Sequence, residues 1–175
     1  MVSSIGGAVA RCATRRSMVA ALGGFAGCVA GLVWRQARLT GLDLLDSRVW
    51  YDPEEAAALF DALDRVDASA RAVYATTALT IDMVFPACYG LVFAALLFRL
   101  LRGGWPLYLL PLILAVSDVL ENVTVAALVL SYDGEPSPLA WLAAALTLVK
   151  TALIGATLVA VCAGGARWLW TRIRS

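Results

Sequence analysis

The stretch Ser117-Asp118-Val119-Leu120-Glu121-Asn122-Val123-Thr124 sets two carboxylates and an amide inside an otherwise apolar run, residues 105–130. A run of that length can cross a bilayer as a helix. An ionisable group at its centre costs about 2.5–3.5 kcal/mol on insertion scales, so it is not expected there without a role. Asp118 lies three residues before Glu121 and four before Asn122, which brings all three to one helical face. Two other apolar runs each carry a central charge, Asp82 and Lys150, and these are the natural partners. The expected fold is all-α: an integral membrane four-helix bundle, up-down-up-down, with a polar core and one external amphipathic helix.

Composition agrees. The chain has 175 residues, one domain (1–175) by length, and is 61% hydrophobic and 15% charged. Its mean hydropathy of +0.80 is far above that of soluble domains. The net charge of +1 gives no reason to expect a nucleic-acid partner. With no histidine, the chain cannot supply an imidazole metal ligand, a haem histidine or a histidine-based triad. Cys12, Cys28, Cys88 and Cys162 form no C-x-x-C pair, which argues against a redox motif or a metal site and makes them small apolar residues. No metal and no cofactor is expected.

The spans fall at about 17–34, 73–98, 105–130 and 141–165. Ahead of the first, Thr14-Arg15-Arg16-Ser17-Met18 is an imperfect likeness of a twin-arginine signal, and Phe25-Ala26-Gly27-Cys28 of a lipoprotein cleavage box. Apolar sequence continues past Cys28, so an uncleaved helix is expected. Its Gly23/Gly27 and Gly27/Gly31 pairs have the small-xxx-small spacing of close helix packing.

Residues 35–71 read as a hydrophilic loop with eight carboxylates and five arginines. Inside it, Asp52 as N-cap, Pro53 at the first helical position and Glu55 make a capping-box pattern. Leu59, Leu63 and Val66, with Phe60 beside them, then form one apolar stripe, so this helix should lie on the membrane or cap the bundle. In the second span Arg71, Tyr74, Ala78, Asp82 and Tyr89 recur at helical spacing as a polar stripe leading inward, with Arg71 and Tyr74 at its rim. Pro86 removes the amide that would bond the Asp82 carbonyl, and a kink is expected there. A freed carbonyl beside a carboxylate is one way to build a cation or proton site, and equally a common bend.

After Arg99 and Arg102, Gly103-Gly104 suggest a tight turn, and Trp105, Pro106 and Tyr108 an interfacial opening to the third span. Asn122-Val123-Thr124 has the form of a glycosylation acceptor, unusable at mid-span. The fourth span carries Thr147, Lys150 and Thr151 on one face.

All thirteen acids lie within spans or in the 35–71 and 131–140 segments, whereas Arg11, Arg15, Arg16, Arg99, Arg102, Arg167, Arg172 and Arg174 lie on the other side. The positive-inside rule then puts both termini in the cytoplasm, in a bacterial inner membrane or a plasma membrane. Counted from the outer ends of their spans, Glu121 and Lys150 are both about 13–14 Å deep. A Glu121–Lys150 pair, or Asp118–Lys150 instead, is therefore expected. Lys150 is the only lysine and Asn122 the only asparagine. Three intramembrane acids against one lysine predict a protonatable site open to the outer side.

Asp82, Tyr89, Asp118, Glu121, Asn122 and Lys150 are thus the candidate binding residues, and none is assigned a catalytic role. They admit several uses. They are interhelical glue, or a site for a lipid or other small hydrophobic ligand, or a proton or cation site in a carrier or channel subunit. An enzyme using the carboxylates as acid and base on a lipid, sterol or quinone is a further reading. Besides the bilayer itself, a second copy or a larger membrane complex is a conceivable partner.

Tyr51-Asp52-Pro53-Glu54-Glu55, Arg71-x-x-Tyr74, Asp82-x-x-x-Pro86-x-x-Tyr89, Asp118-x-x-Glu121-Asn122 and Lys150 together resemble a family of small four-span bacterial integral membrane proteins. The resemblance covers residues 40–155 and implies the topology without a mechanism. In layout alone, the chain is also similar to the sterol-isomerase-like and sigma-two-receptor-like domain.

Overall fold

The computed structural model describes residues 6–9, 11, 14–101 and 106–174. Cys12, Arg102, the Gly103-Gly104 turn and Trp105 lie outside them. The described chain is all-helical: α1 (Arg15–Arg38), α2 (Pro53–Val66), α3 (Ala70–Ala78), α4 (Ile81–Leu100), α5 (Leu110–Leu130) and α6 (Leu139–Ile173). Short 3-10 turns at Leu45–Ser47 and Pro106–Leu109 complete it. Four segments are long and apolar enough to cross a membrane: α1, the α3–α4 pair, the Pro106 turn with α5, and α6.

The capping box forms as the sequence predicts. The Glu55 amide donates to Asp52 Oδ1 at 2.8 Å, and the Asp52 amide donates to Glu55 Oε2 at 3.1 Å. The stripe Leu59, Phe60 and Leu63 is buried, with Val66 at its edge, and α2 packs on α3 and α6 as a cap.

The second span is interrupted, but not at the proline. The helix runs through Pro86 and breaks at Leu79–Thr80 instead. There the Thr80 hydroxyl donates back to the Thr76 carbonyl at 2.6 Å, and Thr77 does the same to Val73 at 2.7 Å. Such back-bonding by β-branched residues competes with the helical ladder and bends it. Pro86 is tolerated because its orphaned carbonyl finds another donor, as described below.

Of the two glycine pairs that the spacing suggested, Gly23/Gly27 and Gly27/Gly31, only Gly31 takes part in the α1–α4 contact, together with Gly24. A Cβ on Gly24 would sit 2.8 Å from Cys88 Sγ, and one on Gly31 2.7 Å from Ile81. Gly23 and Gly27 meet nothing. The packed face therefore runs Ala21, Gly24, Cys28, Gly31, Arg35, and it continues past residue 34, where the first span was expected to end. Gly90 plays the same part between α4 and α5, its missing Cβ lying 3.1 Å from Ala115.

In the bundle α1 leans on α4, α4 packs on α5, and α6 packs on α5 and α4, while α1 and α6 share no extensive contact. Apolar cores close the two ends. The larger joins α2, the 39–51 segment and the ends of α5 and α6 (Leu45, Phe60, Val125, Val129, Ala143), and the smaller joins Val9, Ala94, Leu97 and Tyr108. The polar residues lie between them.

Candidate functional site

The site is built on the central turns of α4, α5 and α6, with one contribution from α1 and one from the loop. On α5, Asp118, Glu121 and Asn122 share the buried face, as their spacing requires. Lys150 of α6 meets them. Its Nζ stands 2.5 Å from Glu121 Oε2 and 3.5 Å from Asp118 Oδ1, so both of the expected pairings occur on one ammonium. Glu121 is fully buried, and its other oxygen accepts from the Thr147 hydroxyl at 2.7 Å. The Tyr89 hydroxyl donates to Asp118 Oδ2 at 2.9 Å.

Asp82 is held elsewhere. Arg35 donates through Nη1 to Asp82 Oδ2 and through Nη2 to Asp46 Oδ2, each at 2.8 Å. Both residues were missed in the sequence, which ended the span at 34 and placed Asp46 in an external loop. The 39–51 segment in fact folds into the bundle, with Leu39, Leu44, Leu45 and Tyr51 buried, and lowers Asp46 onto Arg35. The Tyr74 hydroxyl donates to Asp46 Oδ1 at 3.1 Å, and the Asp46 carbonyl lies 3.5 Å from Lys150 Nζ. Tyr51 is fully buried in the same layer, and burial pushes its phenol above the ordinary range. A signal for Arg35 was present: Ala21, Cys28 and Arg35 recur every seven residues on one face, and Asp82 lacked a cation.

Asn122 takes up the Pro86 defect. Its Nδ2 donates to the Asp82 carbonyl at 2.7 Å, the carbonyl that Pro86 leaves without a helical donor. That oxygen is therefore engaged and not free to coordinate a cation. Arg71 does not reach the cluster. It donates to Asp64 Oδ1 at 2.7 Å and to the Tyr132 carbonyl at 2.9 Å, which ties α3 to α2 and to the loop after α5. It is a surface clamp and not a rim residue, whereas Tyr74 does border the cluster.

The chain matches no protein-family model, no curated protein and no solved structure.

Beside the cluster lies a cavity of about 290 Å³. Phe25 of α1, Phe85 and Phe93 of α4, Leu114 of α5, and Ile154 and Leu158 of α6 form its apolar wall. Asp46, Tyr89, Asp118 and Lys150 form its polar end. Its volume is close to the lower limit of small-molecule sites, about 300 Å³. Phe25 stands on one side of it and Ile154 and Leu158 on the other, where α1 and α6 do not close on each other; Ile154 is 41% and Leu158 51% exposed. The six candidates thus divide. Asp82, Asn122 and Glu121 are enclosed by protein partners, whereas Tyr89, Asp118 and Lys150 face the cavity.

Proposed function

We propose that this chain is an integral membrane protein that binds a small lipid-like molecule in the cavity between α1 and α6, its head group at Lys150, Asp118 and Tyr89. The observation that carries this reading is the cavity itself. Charges serving only as glue need close packing with every polar atom satisfied, but here an apolar-walled space reaches the ion pair and opens on the side where lipid would lie. The Arg35–Asp82–Asp46 bridge and the Asn122–Asp82 contact serve as the glue, fixing the register of α1, α4 and α5 beneath the loop.

The ring positions on α6 support placement in a bilayer. Trp141 pairs with Trp50 at one end, their centroids 5.9 Å apart. At the other end Arg172 and Arg174 stack on Trp168 and Trp170. From Trp141 to Trp168 is 27 residues by their numbers, or about 40 Å of helix, which fits a bilayer with its head-group layers, about 40–45 Å. The arginine-rich side then faces the cytoplasm with both termini. Labelling of single cysteines introduced at Ser137 and at Arg174 from either side of the membrane tests the orientation, with only Ser137→Cys expected to react from outside.

Function is tested by purifying the protein in native-lipid discs and identifying co-purified small molecules by mass spectrometry, with Asp118→Asn and Ile154→Trp for comparison. A species held by wild type and lost from both folded variants supports the reading. Variants that only lose stability, with nothing specific bound by wild type, would reduce the cluster to architecture.

A further inference from the structure

The ligand reading above leaves the head group open, and the geometry at Asp118 narrows it. Two cations, Arg35 and Lys150, face four carboxylates, Asp46, Asp82, Asp118 and Glu121, within this buried layer. The Asp82 and Asp46 carboxylates are committed to Arg35, and Glu121 to Lys150 and Thr147. Asp118 is different. Its Oδ2 accepts from Tyr89, but Oδ1 has only Lys150 at 3.5 Å, well beyond the about 2.7–2.9 Å of a charge-assisted hydrogen bond. Lys150 has protons to spare as well, but it is drawn to Glu121 at 2.5 Å, and an anion brought to it would stand among four carboxylates. A cation brought to Asp118 Oδ1 would reduce the excess of negative charge.

A second, independent feature also points to an occupant. Thr157 lines the same cavity two helical turns along α6 from Lys150 and is 2% exposed. Its hydroxyl has no hydrogen-bond partner, whereas Thr77 bonds Val73, and Thr147 bonds Ala143 and Glu121; the buried hydroxyls of Ser117 and Tyr51 also lack one, but neither lines the cavity. A buried hydroxyl left without a protein partner is costly, and its partner must then come from what fills the cavity, a water or a polar atom of an occupant.

We infer that the cavity takes a single-chain amphiphile with a cationic amine head and a polar group, a hydroxyl or carbonyl, along its chain, the ammonium seated against Asp118 Oδ1, the polar group at the Thr157 hydroxyl and the rest of the chain directed toward the opening between α1 and α6. The volume admits one chain, and the wall of three phenylalanines and three aliphatic residues suits a hydrocarbon tail. Tyr89, by donating to Asp118, competes with the ligand for the same carboxylate.

The full-length protein in phosphatidylcholine nanodiscs, titrated with dodecylamine, dodecanol or dodecanoate and read by native mass spectrometry, tests this. The amine is expected to bind about tenfold more tightly than the alcohol, and the acid more weakly still. Asp118→Asn should erase the preference for the amine. Tyr89→Phe, which keeps the charge and releases an acceptor oxygen, should strengthen amine binding. Ile154→Trp, which fills the cavity without touching a charge, should abolish binding of all three. Equal or tighter binding of the acid or alcohol overturns the inference. So does an amine preference that survives Asp118→Asn, or weaker amine binding in Tyr89→Phe. If none of the three binds wild type, the ligand-site reading itself fails with it.

Discussion

Arg35 bridges two carboxylates on different segments with the two arms of one guanidinium, a geometry that a lysine's single ammonium does not reproduce. Arg35→Lys should therefore lose one of the two contacts and about 1.5–3 kcal/mol of stability, and Arg35→Leu more, since both acids are then left buried. Chemical unfolding followed by tryptophan fluorescence in discs measures both. Thr157→Val should act in the opposite direction in ligand-free protein, removing an unpartnered hydroxyl and raising stability by about 1 kcal/mol in the same assay. A clear loss would mean that the hydroxyl has a partner. At this scale the sequence was partly legible. The Lys150–Glu121 pair was readable because a lone lysine and an acid fell at matched depths on consecutive spans. Asp46 was not, because it sits in a segment whose composition is that of a solvated loop. Only the buried Leu44 and Leu45 beside it, which force the segment inward, distinguish it from the exposed acids around it.

Among the elements, α4 offers the sharpest test. Asn122→Leu should leave the Asp82 carbonyl without a donor and cost about 1–3 kcal/mol. Pro86→Ala restores a backbone amide at the position that carbonyl would ordinarily bond. The double variant should then be more stable than the sum of the single effects implies, a coupling that a double-mutant cycle in the unfolding assay reads directly. Additive effects would mean that Asn122 and Pro86 are unrelated. For α2, Asp52→Ala should cost about 1 kcal/mol through the lost cap. The cap and stripe of α2 were legible because they are local: residue types and spacing within one turn decide them. The break at Leu79–Thr80 was not, since single threonine back-bonds leave no pattern in the sequence.

For the whole molecule, the looseness of α1 matters most. It is held to α4 through Gly24, Gly31, the Phe25–Phe85 stack and Arg35, touches α3 less, and shares no extensive contact with α6. Gly24→Leu should therefore displace α1 and lower the melting temperature, while Gly23→Leu, on the open side, should leave it unchanged. Equal effects would contradict the packing described here. The number of spans was legible from hydropathy, but neighbour relations were not, because the small-xxx-small spacing fits either of two faces and only contact with Cys88 and Ile81 selects one. The order in which the chain is made gives the charge layer another meaning. Arg35 and Asp46 emerge first, Asp82 next, then Asp118 and Glu121, and Lys150 only with the last span. Until α6 arrives, Glu121 has no counter-ion and Thr147 is missing from its side. A chain truncated before α6 therefore leaves Glu121 uncovered, and the lysine is the last piece of the charged layer to be made.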